Sequence, residues 1–216
     1  MFERSVIHGL YVITDGKHSD TTQLLDRVEQ AIDGGACVIQ YRNKSNNEQR
    51  QLEEALALKV SCTTHQIPLI INDNIALAVA IKADGVHIGS SDDSLTYARQ
   101  QLGEQALIGI SCYNQLDIAI LAEKMGADYV AFGSFFRSPT KPQAVTALPS
   151  LLQQARKRLS IPIVAIGGIT ADNGATIITA GASALAVISG VFAQSDIAAA
   201  ARAYARLFTI DSPMNC

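Results

Sequence analysis

The stretch "PLIINDNIALAVAIKADGVHIGSSD" (residues 68–92) contains two short apolar runs, at 68–72 and 85–89, with an amphipathic segment between them. Like most such runs in this chain, they are rich in Val and Ile and are apolar on both alternations. This pattern is typical of strands that are buried on both faces, as in a parallel sheet covered by helices. The stretch therefore predicts a strand, a helix and a second strand.

The same alternation extends in both directions along the chain. Further strand candidates lie at 10–14, 37–41, 107–111, 129–133, 162–167 and 184–189. Between them, apolar residues share one helical face in several segments, for example Leu52, Leu56 and Val60. Ser45 with Glu48 predicts a capping box at the start of the second helix, and Pro149 fits the first turn of the sixth.

Eight strand-then-helix units in 216 residues limit the architecture to few choices. An open doubly wound sheet usually has five or six strands, whereas eight closed units form a (β/α)8 barrel, for which this length is at the small end. We therefore predict an α/β fold with a single (β/α)8 TIM barrel domain over residues 1–216. The tail from about residue 209 is expected to be loose.

Composition and charge exclude several classes of protein. The chain is 48% hydrophobic and has a net charge of -3, which suits a globular domain and gives no case for binding nucleic acid or a membrane surface. No apolar run approaches the roughly 20 residues of a membrane span, and no signal peptide is expected. Cys37, Cys62, Cys112 and Cys216 lack metal-like or disulfide-like spacing, which predicts reduced thiols and a cytoplasmic location.

Polar side chains recur where the predicted strands end, which is the face that carries the active site in a TIM barrel. They are Gln40, Arg42, Lys44, Asn72, Asp73, His87, Asp92, Asp93 and Ser111. The sixth strand leads into "FGSFFRSPTKPQA" (132–144), which contributes Lys141, with Arg137 as a further candidate cation. Arginine offers a planar fork to phosphate groups and lysine offers a point charge.

Two further groups suggest anion chemistry. Asp73 and Asp92 are hard oxygen ligands at neighbouring strand ends, which suits Mg²⁺ bound to a polyphosphate. Gly167-Gly168 and Ser189-Gly190 follow the last two strands, where many barrels bind a phosphate monoester. The sequence therefore predicts a metal-assisted diphosphate site and a monophosphate site in one mouth.

Each of these residues also has a purely structural explanation. Asp73 or Ser111 could cap a helix, Gln40 could fill the barrel interior, and His87 could be a hydrogen-bonded core histidine. Arg42 and Lys44 could be solvated loop charges. Cys112 invites comparison with a nucleophile, but no motif marks a partner for it. The recurrence of polar residues at nearly every strand end favours a site over these separate explanations.

In combination, "QYRNK", "IINDNIALAVAIKADGVHIGSSD", "IGISCYN", "GSFFRSPTK" and "AIGGIT" resemble the thiamine-phosphate synthase family, from residue 9 to residue 192. The resemblance implies a (β/α)8 barrel and a transferase of thiamine biosynthesis. Such an enzyme joins 4-amino-2-methyl-5-hydroxymethylpyrimidine diphosphate to a thiazole phosphate with Mg²⁺ and releases diphosphate. It implies small-molecule partners and leaves open whether the chain forms a homo-oligomer.

Carried over by position, the resemblance assigns a role to most of the polar residues. Gln40 contacts the pyrimidine, Asp73 and Asp92 bind Mg²⁺, and the diphosphate is held by Arg42, Lys44, Asn72, Ser111 and Lys141. Of these, the resemblance implies a catalytic role for Lys141, Arg42, Lys44 and Ser111. The thiazole phosphate is bound by Ser138, Thr140, Gly168, Ile188 and Ser189.

This chain departs from the family pattern at two places. The usual proline-threonine-serine-threonine-lysine loop reads Arg137-Ser138-Pro139-Thr140-Lys141, which moves the proline and adds a charge. "GSSDD" makes Asp92 the preferred metal ligand and Asp93 the alternative. A carboxylated thiazole phosphate stays open as the second substrate. Other candidate functions are a thiazole tautomerase of the same superfamily, a non-catalytic phosphate-binding paralogue and another phosphate-binding barrel enzyme.

Overall fold

The computed structural model describes residues 2–89, 92–137 and 145–209, with the backbone alone over 92–94. Its strands are all parallel and form a closed barrel in which each pairs with the next along the chain and β8 pairs with β1. In chain order, β1 to β8 are Gly9–Ile13, Ala36–Tyr41, Leu69–Asn72, Gly85–Ile88, Leu107–Tyr113, Tyr129–Phe132, Ile163–Ile166 and Ala184–Val187. The predicted TIM barrel is confirmed.

Helices follow the strands along the chain. Within the described residues, α1 to α9 are Thr21–Asp33, Glu48–Thr64, Ile75–Ala80, Asp92–Leu102, Leu116–Lys124, Pro149–Arg156, Gly174–Thr179, Ser189–Phe192 and Ile197–Ala205, and 3-10 helices lie at Arg4–Val6 and Arg206–Phe208. The connection after β8 thus holds two helices, the short α8 and then α9. None of the described helices is both long and apolar enough to cross a bilayer.

Helix starts follow local side-chain chemistry. Pro149 lies in the first turn of α6, as predicted. The predicted capping box at Ser45 is wrong, because Asn47 is the N-cap of α2 and its side chain accepts from the backbone N–H of Arg50 at 3.0 Å. Ser45 instead donates its backbone N–H to Asn43 Oδ1 at 2.8 Å, and this Asx turn lengthens the loop before the helix.

Apolar side chains form two layers around the strands. One fills the barrel interior and includes Ile13, Val38, Ile70 and Val164, and the other packs the outer faces of the strands against the helices. Burial of both faces explains why the strands are apolar on both alternations. Residues 210–216, which hold most of the predicted loose tail, lie outside the described residues.

The N-terminal end of the barrel is closed by a charged cluster around the buried Asp128, which directly precedes β6. Its carboxylate accepts from Arg4 Nε at 2.7 Å, from Arg99 Nη2 at 2.6 Å and from the backbone N–H of Ile108 at 2.8 Å. These bonds fix the N-terminal segment against the barrel. The C-terminal end of the barrel is therefore the one available for a ligand site.

Candidate functional site

A cavity of about 560 Å³ opens at the C-terminal ends of the strands, and all eight strands contribute residues to its lining. This volume is within the range of small-molecule sites. Eleven of the candidate residues from the sequence line it, namely Gln40, Arg42, Asn72, His87, Ser111, Arg137, Gly167, Gly168, Ile188, Ser189 and Gly190. The structure therefore brings together residues that are far apart in the chain, because parallel strands all end on one face.

Arg42 is positioned at the cavity through its backbone. Thr14, directly after β1, accepts the Arg42 N–H at Oγ1 (2.8 Å) and donates its hydroxyl to the Arg42 carbonyl (3.1 Å). Thr14 itself is buried, and its N–H donates to the Gln40 carbonyl at 2.9 Å. These bonds hold the backbone of Arg42 at the cavity, whereas Lys44, two residues on, is exposed and does not line the cavity.

Behind Arg42, the carboxylate of Glu54 on α2 is fully buried and accepts from four side chains. One oxygen accepts from His18 Nε2 (2.8 Å) and Arg50 Nε, and the other from Tyr41 (2.7 Å) and Asn43 (2.9 Å). Burial alone would raise the pKa of Glu54, but these hydrogen bonds outweigh it and lower the pKa to about 2. Because Tyr41 and Asn43 flank Arg42, the charged carboxylate fixes the segment that carries this arginine.

A chain of side-chain hydrogen bonds crosses the barrel interior beneath the cavity. Gln40 Nε2 lies 2.8 Å from the Tyr11 hydroxyl, which is 2.9 Å from the Tyr129 hydroxyl. That hydroxyl is 3.2 Å from His87 Nδ1, and His87 Nε2 is 2.9 Å from Ser111 Oγ. Burial lowers the pKa of His87 to about 4, so the imidazole is neutral at physiological pH.

The acidic residues predicted to bind a metal lie beside this chain, at the ends of neighbouring strands. Asp73 is exposed, and its backbone N–H donates to the His87 carbonyl at 2.9 Å. Asn72 donates to Asp73 Oδ2 at 2.6 Å, and Asn74, not Asp73, caps α3. Asp92 begins α4, but its side chain lies outside the described residues, as does that of Asp93.

This acidic edge suits a hard cation that is shared with a ligand. No Lys or Arg of the described residues lies within ion-pair distance of Asp73. The described part of the chain also holds no group of three or more His, Cys, Asp or Glu side chains placed to bind a metal ion. Mg²⁺ commonly takes one or two protein carboxylates and completes its shell with water and phosphate oxygens, and the exposed carboxylate of Asp73 is a donor of that kind.

The segment after β6 is anchored to the turn after β7. Phe135 and Phe136 donate their N–H groups to the carbonyls of Ile166 (3.2 Å) and Gly167 (2.9 Å). Gly168 has φ of +64°, and a Cβ built there would lie 2.5 Å from the Arg137 carbonyl oxygen, so only glycine permits this approach. Arg137 lines the cavity, whereas Ser138, Thr140 and Lys141 lie outside the described residues.

The last part of the lining comes from α8, which begins at Ser189. Arg27 on α1 donates to both carboxylate oxygens of Asp15 at 3.0 Å and to the Phe192 carbonyl at 2.7 Å. Its guanidinium group also lies 4.9 Å from the centre of the Phe192 ring. These contacts tie α8 to the loop after β1 and hold Ser189 at the cavity.

A thiol nucleophile has no support in the structure. Cys112 is fully buried, its thiol donates to the Ile110 carbonyl at 3.5 Å, and burial raises its pKa to about 12. Cys37, Cys62 and Cys112 are all free thiols, and Cys216 lies outside the described residues.

Several residues that shape the site were missed in the sequence. Thr14 could have been found by the rule that found the others, since it directly follows a strand. Tyr11 and Tyr129 lie within strands whose two faces are both apolar, so their inward position carries no periodic signal. Glu54 lies in an amphipathic helix, where a glutamate is typical of a solvated face.

Comparison with known proteins gives one consistent result. The family model described as thiamine monophosphate synthase matches residues 10–191. A thiamine-phosphate synthase of Nitrosococcus oceani is 53% identical over 204 residues, covering 94% of each chain. One from Azoarcus sp. (strain BH72) is 50% identical over 202 residues, covering 94% of this chain and 98% of that protein.

The fold agrees with a solved structure described by a related name. A thiamine phosphate pyrophosphorylase from Pyrococcus furiosus superimposes with a TM-score of 0.83 at 32% identity, and the alignment covers 96% of this chain and 98% of that one. The similarity therefore extends over the whole barrel, including the ends of all strands.

Proposed function

The chain belongs to the thiamine monophosphate synthase family, and from this we propose that it is a thiamine-phosphate synthase, a transferase of thiamine biosynthesis. The substrates are the aminopyrimidine diphosphate and a thiazole phosphate. The bond between the pyrimidinylmethyl carbon and the diphosphate oxygen breaks, and a bond from that carbon to the thiazole nitrogen forms. The products are thiamine phosphate and diphosphate.

The observation that carries this proposal is the set of charged and polar groups around one cavity. Arg42 and Arg137 bring cations from two separate connections, and Ser111 brings a hydroxyl from a third element. Diphosphate is an acceptor-only anion, so arginine forks and a hydroxyl donor are complementary to it. A cavity that also has apolar walls suits the heteroaromatic rings.

The chemistry requires stabilisation of charge rather than a protein nucleophile. Negative charge builds on the departing diphosphate, and preorganised cations lower the barrier most in a site that excludes water. We propose that Arg42, Lys44 and Lys141 supply this charge with Ser111. The aminopyrimidine ring delocalises the positive charge left on the methylene carbon.

We propose that Asp73 and Asp92 hold a Mg²⁺ ion. When bound, Mg²⁺ supplies positive charge to the diphosphate. The exposed carboxylate of Asp73, which has an amide as its hydrogen-bond partner, supports this assignment. Asn72 orients that carboxylate and contributes to the diphosphate site.

The second substrate is assigned to the opposite side of the cavity. We propose that its phosphate is bound by residues that share small size, a hydroxyl or an available backbone N–H, namely Gly168, Ile188, Ser189, Ser138 and Thr140. Gln40 contacts the pyrimidine, so that the two rings are held next to each other. Holding two reactants in one mouth contributes about 7 kcal/mol or more in favourable cases.

We further propose a cytoplasmic location, which the free thiols of Cys37, Cys62 and Cys112 support. We leave both the thiazole phosphate and its carboxylated form as candidates for the second substrate. Parallel assays with each form would identify the preferred second substrate.

The direct test is to mix the purified protein with the pyrimidine diphosphate, the thiazole phosphate and Mg²⁺, and to measure thiamine phosphate by chromatography. We expect product with Mg²⁺ and loss of product on adding a chelator. Absence of product from the native protein would refute the reaction, and product that is insensitive to the chelator would refute the metal.

A single substitution tests the metal site itself. Asp73 has φ of +61°, a conformation that asparagine also tolerates, so Asp73→Asn removes the charge and keeps the backbone. We expect turnover to fall about a thousandfold, the size of the loss when a preorganised charge is removed. Asp33→Asn, the same change at the exposed end of α1, is the matched control and should keep native turnover. Near-native turnover in Asp73→Asn would show that this residue is not a metal ligand.

A further inference from the structure

With the Gln40 amide nitrogen facing Tyr11, as in the structure, the hydrogen-bond chain from Gln40 to Ser111 has one arrangement that uses every proton. Gln40 Nε2 can only donate, so it donates to the Tyr11 hydroxyl, whose own proton then goes to Tyr129. The Tyr129 proton goes to His87 Nδ1, so the imidazole carries its own proton on Nε2 and donates it to Ser111 Oγ. The Ser111 proton is then available to the cavity.

The surroundings make this arrangement energetically important. Tyr11 and Tyr129 are 1% and 0% exposed and belong to the cluster of apolar side chains that fills the barrel interior. A buried hydroxyl proton without an acceptor keeps the full cost of losing its hydrogen bond to water. Arrangements in which a tyrosine proton has no acceptor are therefore strongly disfavoured.

The two ends of this hydrogen-bond chain face the same cavity, one as a hydrogen-bond acceptor and the other as a donor. At one end the Gln40 amide has its nitrogen engaged, and its oxygen, Oε1, is left to accept from a ligand in the cavity that Gln40 lines. At the other end Ser111 is left to donate. Rotating the amide by half a turn would reverse every bond and present a donor at Gln40 and an acceptor at Ser111, which is unsuited to an anion there.

We propose that Tyr11, Tyr129 and His87 are positioning residues that couple the orientation of the Gln40 amide to the direction of the Ser111 hydroxyl proton. They hold Gln40 as an acceptor for the amino group of the pyrimidine and Ser111 as a donor to the diphosphate. The inference rests on the proposed function for the identity of the ligand, but the direction of the chain is a property of the ligand-free protein. The site thereby selects a molecule that carries an amine at one end and an anion at the other.

The decisive measurement is the position of the imidazole proton in the native protein. With ¹⁵N-labelled histidine, NMR distinguishes a proton on Nε2 from one on Nδ1, and the spectrum of His87→Asn identifies the His87 signals among those of the four histidines. We expect the proton on Nε2. A proton on Nδ1 would mean that the chain runs in the reverse direction and would overturn the proposal.

A substitution tests whether the hydrogen-bond chain affects ligand binding. Tyr129→Phe removes the donor to His87 Nδ1, so we expect a mixture of the two imidazole tautomers and about fivefold to tenfold weaker binding of inorganic diphosphate, measured by calorimetry with Mg²⁺. Tyr11→Phe breaks the chain one bond away and serves if Tyr129→Phe does not fold. Tyr204→Phe removes the hydroxyl of another buried tyrosine, which donates to the Ile169 carbonyl, and should keep the native tautomer and diphosphate affinity.

The outcomes separate this inference from the proposed reaction. If the native protein forms product but carries the His87 proton on Nδ1, the proposed direction of the hydrogen-bond chain is wrong and the proposed reaction is supported. If the native protein carries the His87 proton on Nε2 but forms no product, the proposed reaction is wrong and the direction of the hydrogen-bond chain is supported. A purely structural role for Tyr129 would lower thermal stability without changing the tautomer or the diphosphate affinity, and that result also overturns the proposal.

Discussion

At the scale of single residues, Glu54 shows how a buried charge can organise a site that it does not touch. Each of its two oxygens accepts from two donors, and two of those donors, Tyr41 and Asn43, flank Arg42. In Glu54→Gln, the amide nitrogen must face two donors whichever way it turns. We expect the free energy of unfolding to fall by about 3 kcal/mol. Displacement of Arg42 should lower kcat/KM about tenfold to a hundredfold.

Glu53→Gln is the matched control, because Glu53 is the neighbouring residue, is exposed and bonds only to Gln49 among the described residues. Urea unfolding and steady-state kinetics on both variants separate burial from helix position. If Glu54→Gln lost stability but kept native kcat/KM for the pyrimidine diphosphate, the link from Glu54 to Arg42 would be wrong.

At the scale of elements, the segment after β6 depends on the turn after β7. In Gly168→Ala the new methyl group would lie 2.5 Å from the Arg137 carbonyl oxygen at a φ of +64°, so both strain and contact force the segment away. We expect a loss of stability of about 2 kcal/mol and a higher KM for the thiazole phosphate. Thermal unfolding and initial rates at varied thiazole phosphate check both.

Gly126→Ala separates the two causes in this prediction. Gly126 has φ of +93° at the turn before β6, and a Cβ there meets no atom within 4 Å. It therefore carries the backbone strain without the contact and lies near the opposite end of the barrel. Equal increases in KM in the two variants would show that the close approach at Gly168 has no role in substrate binding.

Strands and helices could be predicted from the sequence where the residues adjacent in the chain determine them. The strands were found because burial on both faces leaves continuous Val and Ile runs, and Arg42 and Ser111 were found because they lie at strand ends. The start of α2 was misjudged because the Asx turn of Asn43 competes with a cap at Ser45. Tyr129 could not be assigned, because its partners come from other strands and are defined only once the barrel closes.

At the scale of the whole molecule, the lowered pKa values of His87 and Glu54 make the free energy of unfolding depend on pH. The native pKa of His87 is about 4, below its ordinary value of 6.5, so the unfolded chain binds a proton first as the pH falls. The stabilisation is complete above about pH 6.5 and is lost as the pH falls towards 4, by about 3 kcal/mol in all. Glu54, with a native pKa of about 2 against 4.5, extends the loss to lower pH.

Substitutions can separate the pH range in which His87 affects stability from the lower range in which Glu54 does. Urea unfolding of the native chain from about pH 7 to pH 3 should give a free energy of unfolding that falls continuously. His87→Asn should flatten the curve between about pH 6.5 and pH 4.5 and keep the decline below it, whereas Glu54→Gln should flatten only the lower part. The slope, not the absolute stability, is the readout, so a general loss of stability in either variant does not obscure it. A native slope in His87→Asn above pH 4.5 would mean that folding does not lower the pKa of His87, and a neutral imidazole in the folded barrel at these pH values would then be wrong.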